Sequence, residues 1–254
     1  MGELLQAARV QHALRLGDDA LILGQRLGEW CGHAPTLEVD LALANFGLDL
    51  IGQAQHFLGY AGIVEGVGRD ADALAFHRDV YDFRNCLLVE QPNGDFARTM
   101  ARQFLFSTWQ YLHMQALVSL PDRKIAEVAE KAVKEVDYHA GLSGDWIVRL
   151  GDGTEESQRR MIAGLAWNWR FVDELFEVQD GEADLVAAGF AVDRASLRPA
   201  WDAAVDAVFA RAGLERPQVT RGITGGRIGR HSEHLGHLLA EMQFLPRAYP
   251  DAVW

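Results

Sequence analysis

Nine histidines punctuate the chain. A histidine three residues after a glutamate or aspartate on a helix projects from the same face as the acid and can share a metal ion with it. Helical bundles that hold two iron or manganese ions use this Glu-x-x-His pair twice and add one glutamate from each of two further helices. The residues three positions before the histidines are Arg9, Trp30, Gln53, Leu74, Gln110, Val136, Ile228, His231 and His234. None is acidic, so the two pairs that di-metal chemistry requires are missing, and autonomous di-iron catalysis is not expected. His231, His234 and His237 resemble a metal cluster, but on a helix steps of three would set His231 and His237 about 120° apart. Glu233, His237 and Glu241, at four-residue spacing, read as pairs along a helix face. Gly-x-Ser-x-Gly, Cys/His and Walker motifs do not occur.

The residues standing where ligands would be wanted are informative. Asn45, Asp49, Gly52 and His56 form a polar stripe, and if Asp49 begins a would-be pair, Gly52 replaces its imidazole. In Glu135-Val136-Asp137-Tyr138 a tyrosine takes the histidine position, with Lys134 beside it. A lysine ammonium at a bundle centre repels a divalent ion and can neutralise a buried carboxylate. Gln103, Ser107 and Gln110 are neutral groups along one face where a metal site wants a carboxylate. One reading is a vestigial metal site rebuilt as a polar network of Asp49, Lys134, Glu135, Tyr138, Gln103 and Gln110, with Lys134 close to Asp49 or Glu135. The other is ordinary surface residues without such a history. Neither supplies a catalytic residue or a metal ligand.

The elements that must position these residues are helices. From Thr36, an N-cap residue type, apolar positions recur at Leu37, Leu41, Ala44, Leu48, Ile51 and Leu58, which predicts one buried face of a long helix. A second helix, from about Asp95 to Ser119, is apolar nearly all round. Pro121 suits the first turn of a third, with Ile125, Ala129, Ala132, Val136 and Ile147 inward. Asp152 to Glu156 reads as a stop and a capped start, and Met161, Leu165, Val172 and Leu175 carry the next helix. Further helices are expected over 4–30, 70–84, 194–213 and 230–245. Cys86–Val89 is the one candidate for an extended piece. Gly222–Gly229 is glycine-rich but follows no strand and lacks G-K-[ST], so a phosphate loop is not indicated. No repeat or long linker divides the chain, and the pattern reads as one all-α bundle, a single domain over 1–254.

Composition narrows the class. At 254 residues and 49% hydrophobic content the chain can bury a substantial core. A net charge of −12 argues against nucleic-acid binding. Two cysteines, Cys31 and Cys86, fit neither a disulfide framework nor a cysteine zinc site and suit a reducing cytoplasm. The first 20 residues carry charges throughout, unlike a signal peptide, and no apolar run approaches the roughly 20 residues of a membrane span. Seven tryptophans serve equally well as core or as interface residues.

Several blocks carry a resemblance. They are LGDDALILGQRLGEWCGHAP (16–35), LALANFGLDLIGQAQ (41–55), FRNCLLVEQPNGDFARTMARQFLFSTWQ (83–110), KEVDYH (134–139), RLGDGTEES (149–157) and GRHSEHLGHLLAEMQFLPRAYPDAVW (229–254). Together they resemble the structural subunits of bacterial phenylacetyl-CoA epoxidases, the PaaC family. The resemblance implies a ferritin-like helical bundle with additional flanking helices and no metal or other cofactor in this chain. It also implies pairing with a homologous catalytic subunit that holds a di-iron centre, supplied with electrons by a reductase carrying FAD and an iron–sulfur cluster and fed by NADPH. A homodimer is expected of the isolated chain, which would expose an apolar patch. The competing readings are an autonomous di-metal oxidase or iron-binding bundle, and a homo-oligomeric acyl-CoA-binding module.

Overall fold

The computed structural model describes residues 2–218, 221–250 and 252. The last residues of the 229–254 block, Asp251, Val253 and Trp254, therefore lie outside the described residues. Among those described there is no strand, and the architecture is an all-α helical bundle. The sequence reads as one domain. The packing groups residues 1–92 with 225–254 as one compact unit and 93–224 as a second.

The first unit begins with α1 (Gly2–Gly28) and α2 (Leu37–Glu65), which pack together along their lengths. Thr36 caps α2 as its sequence suggests, its hydroxyl accepting from the Val39 amide at 3.4 Å. The buried face of α2 coincides with the expected stripe only in part: Leu58 is buried and Ala44 and Ile51 are half-buried. Val39, Leu43, Phe46, Leu50, Ala54, Phe57 and Ala61 form the core, whereas Leu37, Leu41 and Leu48 are exposed. At 100° per residue the two sets lie on opposite sides of the helix. α2 is apolar almost all round, and periodicity alone could not say which apolar face meets α1.

The helix expected over 70–84 is limited to α3 (Ala71–Phe76), followed by a 3₁₀ turn at Val80–Asp82. The interruption has a cause: Arg84 and Cys86 donate their backbone N–H groups to Asp18 and Asp19 of α1 instead of to helical carbonyls. Cys86–Val89 is not extended either. Only Cys86 has extended geometry, as the cap of the one-turn α4 (Leu87–Glu90).

The second unit opens with α5 (Phe96–Leu117), capped by Asp95, and α6 (Arg123–Gly151), capped by Asp122. Pro121 thus precedes the cap and does not occupy the first turn. Thr154 caps α7 (Glu155–Trp169) where the stop-and-start pattern places it. α8 (Glu182–Ala187) and α9 (Arg198–Ala212) complete this unit. α5 packs against α6 and α7, and α6 against α9. Trp109 and Trp201 are fully buried, the Trp201 indole N–H donating to the Leu105 carbonyl at 3.0 Å, so these two tryptophans serve the core. The chain returns to the first unit through α10 (Glu233–Met242) and α11 (Phe244–Ala248). No described helix is long and apolar enough to cross a membrane.

Candidate functional site

The densest buried chemistry lies in the first unit, where α1 turns two successive carboxylates, Asp18 and Asp19, into the interior. The Arg78 guanidinium grips Asp18 with two nitrogens, and the Arg84 amide donates to the same carboxylate at 2.7 Å. Asp19 pairs with Arg227 at 2.7 Å and accepts from the Cys86 amide at 2.8 Å. Glu90, the last residue of α4, accepts from the Ser232 amide and hydroxyl, each at 2.7 Å, and from the Asn85 amide group at 2.9 Å. His231 completes the set at 2.7 Å from Glu90.

The glycine-rich segment makes this cluster possible. Arg227 enters the core on a 3₁₀ turn at Gly226–Ile228. A methyl group at Gly226 would stand 2.3 Å from the Asn85 carbonyl oxygen, and Gly229 has φ +82° with the Tyr81 carbonyl equally close, so both positions demand glycine. The segment binds an arginine in place rather than a phosphate.

What can this cluster do? His231 Nε2 lies 3.0 Å from the Phe83 carbonyl, which only accepts, so that nitrogen carries a proton. Every other partner of Glu90 is a donor, which favours the carboxylate and a protonated Nδ1 on His231. Burial works against the imidazolium, but the hydrogen bond and charge of Glu90 outweigh it and raise the His231 pKa above 6.5. Asp19 is pushed up by burial in spite of Arg227. An imidazolium with both N–H groups engaged has no lone pair to accept a proton. The cluster ties α1, the 77–91 segment and the chain's return at 225–232 together.

Several of the neutral residues that the sequence sets against metal ligands lie in the second unit. α5 offers Gln103, Ser107, Gln110 and His113, all buried. The Gln103 amide donates to Ser107 at 2.8 Å. On α6 the buried histidine is His139, and the residue three before it, Val136, is buried and apolar. Amides and hydroxyls replace the carboxylates, and one member of the decisive pair is a hydrocarbon. This donor set does not fit two divalent ions. Among the described residues no group of three or more His, Cys, Asp or Glu could hold a metal ion.

The whole chain, residues 1–254, matches the family model described as phenylacetic acid catabolic protein. It is 50% identical over 243 residues to one of the subunits of the 1,2-phenylacetyl-CoA epoxidase of Escherichia coli strain K12, covering 96% of this chain and 98% of that one. The chain belongs to the phenylacetic acid catabolic protein family.

In this family member the residues that the sequence singled out divide between interior and surface. Gln103 and Gln110 are interior. Asp49 is half-buried on α2. Lys134 is not at a bundle centre: it and Tyr138 are exposed, the latter at 56%. The reason is angular. The inward stripe of α6 runs through Ala132, Val136 and His139, and Lys134, two residues from both Ala132 and Val136, faces the other way. Glu135, half-buried, lies 3.8 Å from Lys131, and no ion pair joins Lys134 to Glu135 among the described residues. His231 also departs from expectation, since it precedes α10 and does not ride on it. The sequence gives no direct sign of the buried ion cluster beyond adjacent Asp18-Asp19 leading into the apolar run Ala20–Leu23.

Proposed function

We propose that this chain is the non-catalytic structural subunit of a multicomponent 1,2-phenylacetyl-CoA epoxidase, a monooxygenase of aerobic phenylacetate degradation. One observation carries the reading: identity of 50% along nearly the full length of both chains to a subunit of such an enzyme. The residues of α5 and α6 support it, because Val136 stands three before His139 and the buried polar residues of α5 at 103, 107 and 110 are neutral, so neither helix presents a Glu-x-x-His pair. In this reading a homologous partner holds the di-iron centre, and a reductase with FAD and an iron–sulfur cluster passes electrons from NADPH. This chain contributes a rigid, metal-free surface on which the partner is held. Cytoplasmic residence belongs to the same reading, supported by the absence of a disulfide between Cys31 and Cys86.

Co-expression with the catalytic subunit tests it. The two chains are expected to co-purify, with iron following the partner. Elemental analysis that finds about two metal ions per isolated chain, the stoichiometry of a di-metal bundle, would contradict it.

A further inference from the structure

Acidic side chains outnumber basic ones, 36 to 24, and Arg26, Arg78, Arg194, Arg216 and Arg227 each meet a carboxylate. Two arginines of the second unit do not. Among the described residues neither Arg98 nor Arg170 forms an ion pair; both guanidiniums lie over the indole of Trp167, 3.7 and 4.7 Å from its ring centre. The acid that acts on Arg98 is Asp95, and its carboxylate is engaged elsewhere. It accepts from the Arg98 amide as the cap of α5 and faces Arg160 at 3.9 Å.

The packing of α7 on α5 builds this arrangement. A side-chain carbon added at Gly164 would stand 2.8 Å from the Arg98 Cα, so only glycine lets the helices approach this closely. The Asn168 amide group holds the contact by donating to the Arg98 carbonyl at 3.0 Å. Trp167, three residues after Gly164, is thereby carried over Arg98. Gly94, at φ +63°, leaves room for the arginine stem, since a carbon there would stand 2.6 Å from its Cδ. Arg170 follows Trp167 by three residues, and its carbonyl is tied to the Ile223 amide at 2.7 Å.

Two like charges on one indole lack an offset inside the chain. Burial lowers the Arg98 pKa below its usual 12.5, and Arg170 pushes the same way against Asp95. Arg98 Nε and Nη2 and Trp167 Nε1 are covered and have no acceptor among the described residues, a cost that a bound anion against the cluster would offset. Arg98, Trp167 and Arg170 are each half-buried, so such a ligand reaches them from solvent. The indole keeps both planar forks in place before it arrives. A carboxylate brings one charge and suits one fork. A phosphate group brings about two charges and three acceptor oxygens, which suits both. We propose that Arg98, Arg170 and Trp167 form a binding site for a phosphate group, free or carried as an ester. The site stands apart from the proposed pairing, so either can fail alone.

The test titrates the full-length chain with inorganic phosphate, glycerol 3-phosphate and acetate by calorimetry at constant ionic strength. At least one of the two phosphates is expected to bind saturably with a dissociation constant of about 1 mM or tighter, and acetate about tenfold more weakly or less. Tighter binding of glycerol 3-phosphate identifies an esterified phosphate as the ligand, and tighter binding of inorganic phosphate identifies the free ion. Arg98→Gln and Arg170→Gln are each expected to weaken phosphate binding about tenfold or more, as for loss of a charge-assisted contact. Arg98→Lys, which keeps the charge and loses the fork, is expected to weaken it as well. Melting temperatures without ligand show which variants are folded, and Arg170→Gln carries the test should Arg98→Gln lower the value. Absence of saturable phosphate binding overturns the site, as does acetate binding as tightly as phosphate. Folded variants that bind phosphate like wild type overturn it too. If wild type takes up no phosphate while Arg98→Gln loses affinity for the catalytic subunit, the cluster belongs to a protein interface and the phosphate site is wrong.

Discussion

His231 and Glu90 meet at 2.7 Å with side chains 2% and 0% exposed, an ion pair removed from water and anchored at its far end by the Phe83 carbonyl. Because Glu90 raises the histidine's pKa above 6.5, the folded state favours the imidazolium. The stabilisation is fully present below the unfolded value and is lost as pH rises through the higher folded value. Asp19 acts with the same sign in the acid range: burial raises its pKa above 3.8, so ionising it costs stability as pH rises. Thermal unfolding across neutral and mildly alkaline pH should show a melting temperature that falls with rising pH, and a flatter profile for His231→Gln. Parallel profiles for the two proteins would remove the pair from the account.

Arg227 and Asp19 are 1% and 4% exposed, so removing one leaves the other's charge stranded. Asp19→Ala should cost about 3–5 kcal/mol. Asp19→Leu/Arg227→Met should recover a large part of that loss, because an apolar pair strands no charge. Denaturant unfolding of the two variants measures the difference.

The two glycine classes of the C-terminal segment should respond with opposite sign. Gly226→Ala drives a carbon into the Asn85 carbonyl and should destabilise by about 2 kcal/mol or more. Gly236 lies inside α10 with open space around it, and Gly236→Ala should stabilise by up to about 1 kcal/mol. Melting temperatures of the two variants decide the point.

Lys134→Ala should change stability by no more than about 0.5 kcal/mol, as for an exposed side chain in no ion pair among the described residues. A loss of several kcal/mol would restore the buried network that the sequence suggested.

Much of the fold was legible because helix signals are local. Thr36, Asp95 and Thr154 cap where their side-chain chemistry says they should. What was not legible depends on pairing across long stretches of chain. Nothing near Arg227 announces that Asp19, some two hundred positions earlier, is its partner, or that Arg84 and Cys86 spend their amide protons on α1. Half of the expected stripe of α2, Leu37, Leu41 and Leu48, faces outward, since a helix with apolar residues on more than one face does not reveal which of them its neighbour covers. Lys134 adjoins Glu135 and Tyr138 in sequence, but its angle from Val136 on α6 sets its exposure. The missing Glu-x-x-His pairs were legible, because spacing on a single helix needs no tertiary knowledge.

The central claim is that this chain supports epoxidation without performing it. The decisive measurement is NADPH-dependent conversion of phenylacetyl-CoA by purified components in three mixtures: this chain with the reductase, the catalytic subunit with the reductase, and all three together. The account predicts no product from this chain with the reductase, and full turnover only when both subunits are present. Epoxide formed by this chain and the reductase alone would contradict it.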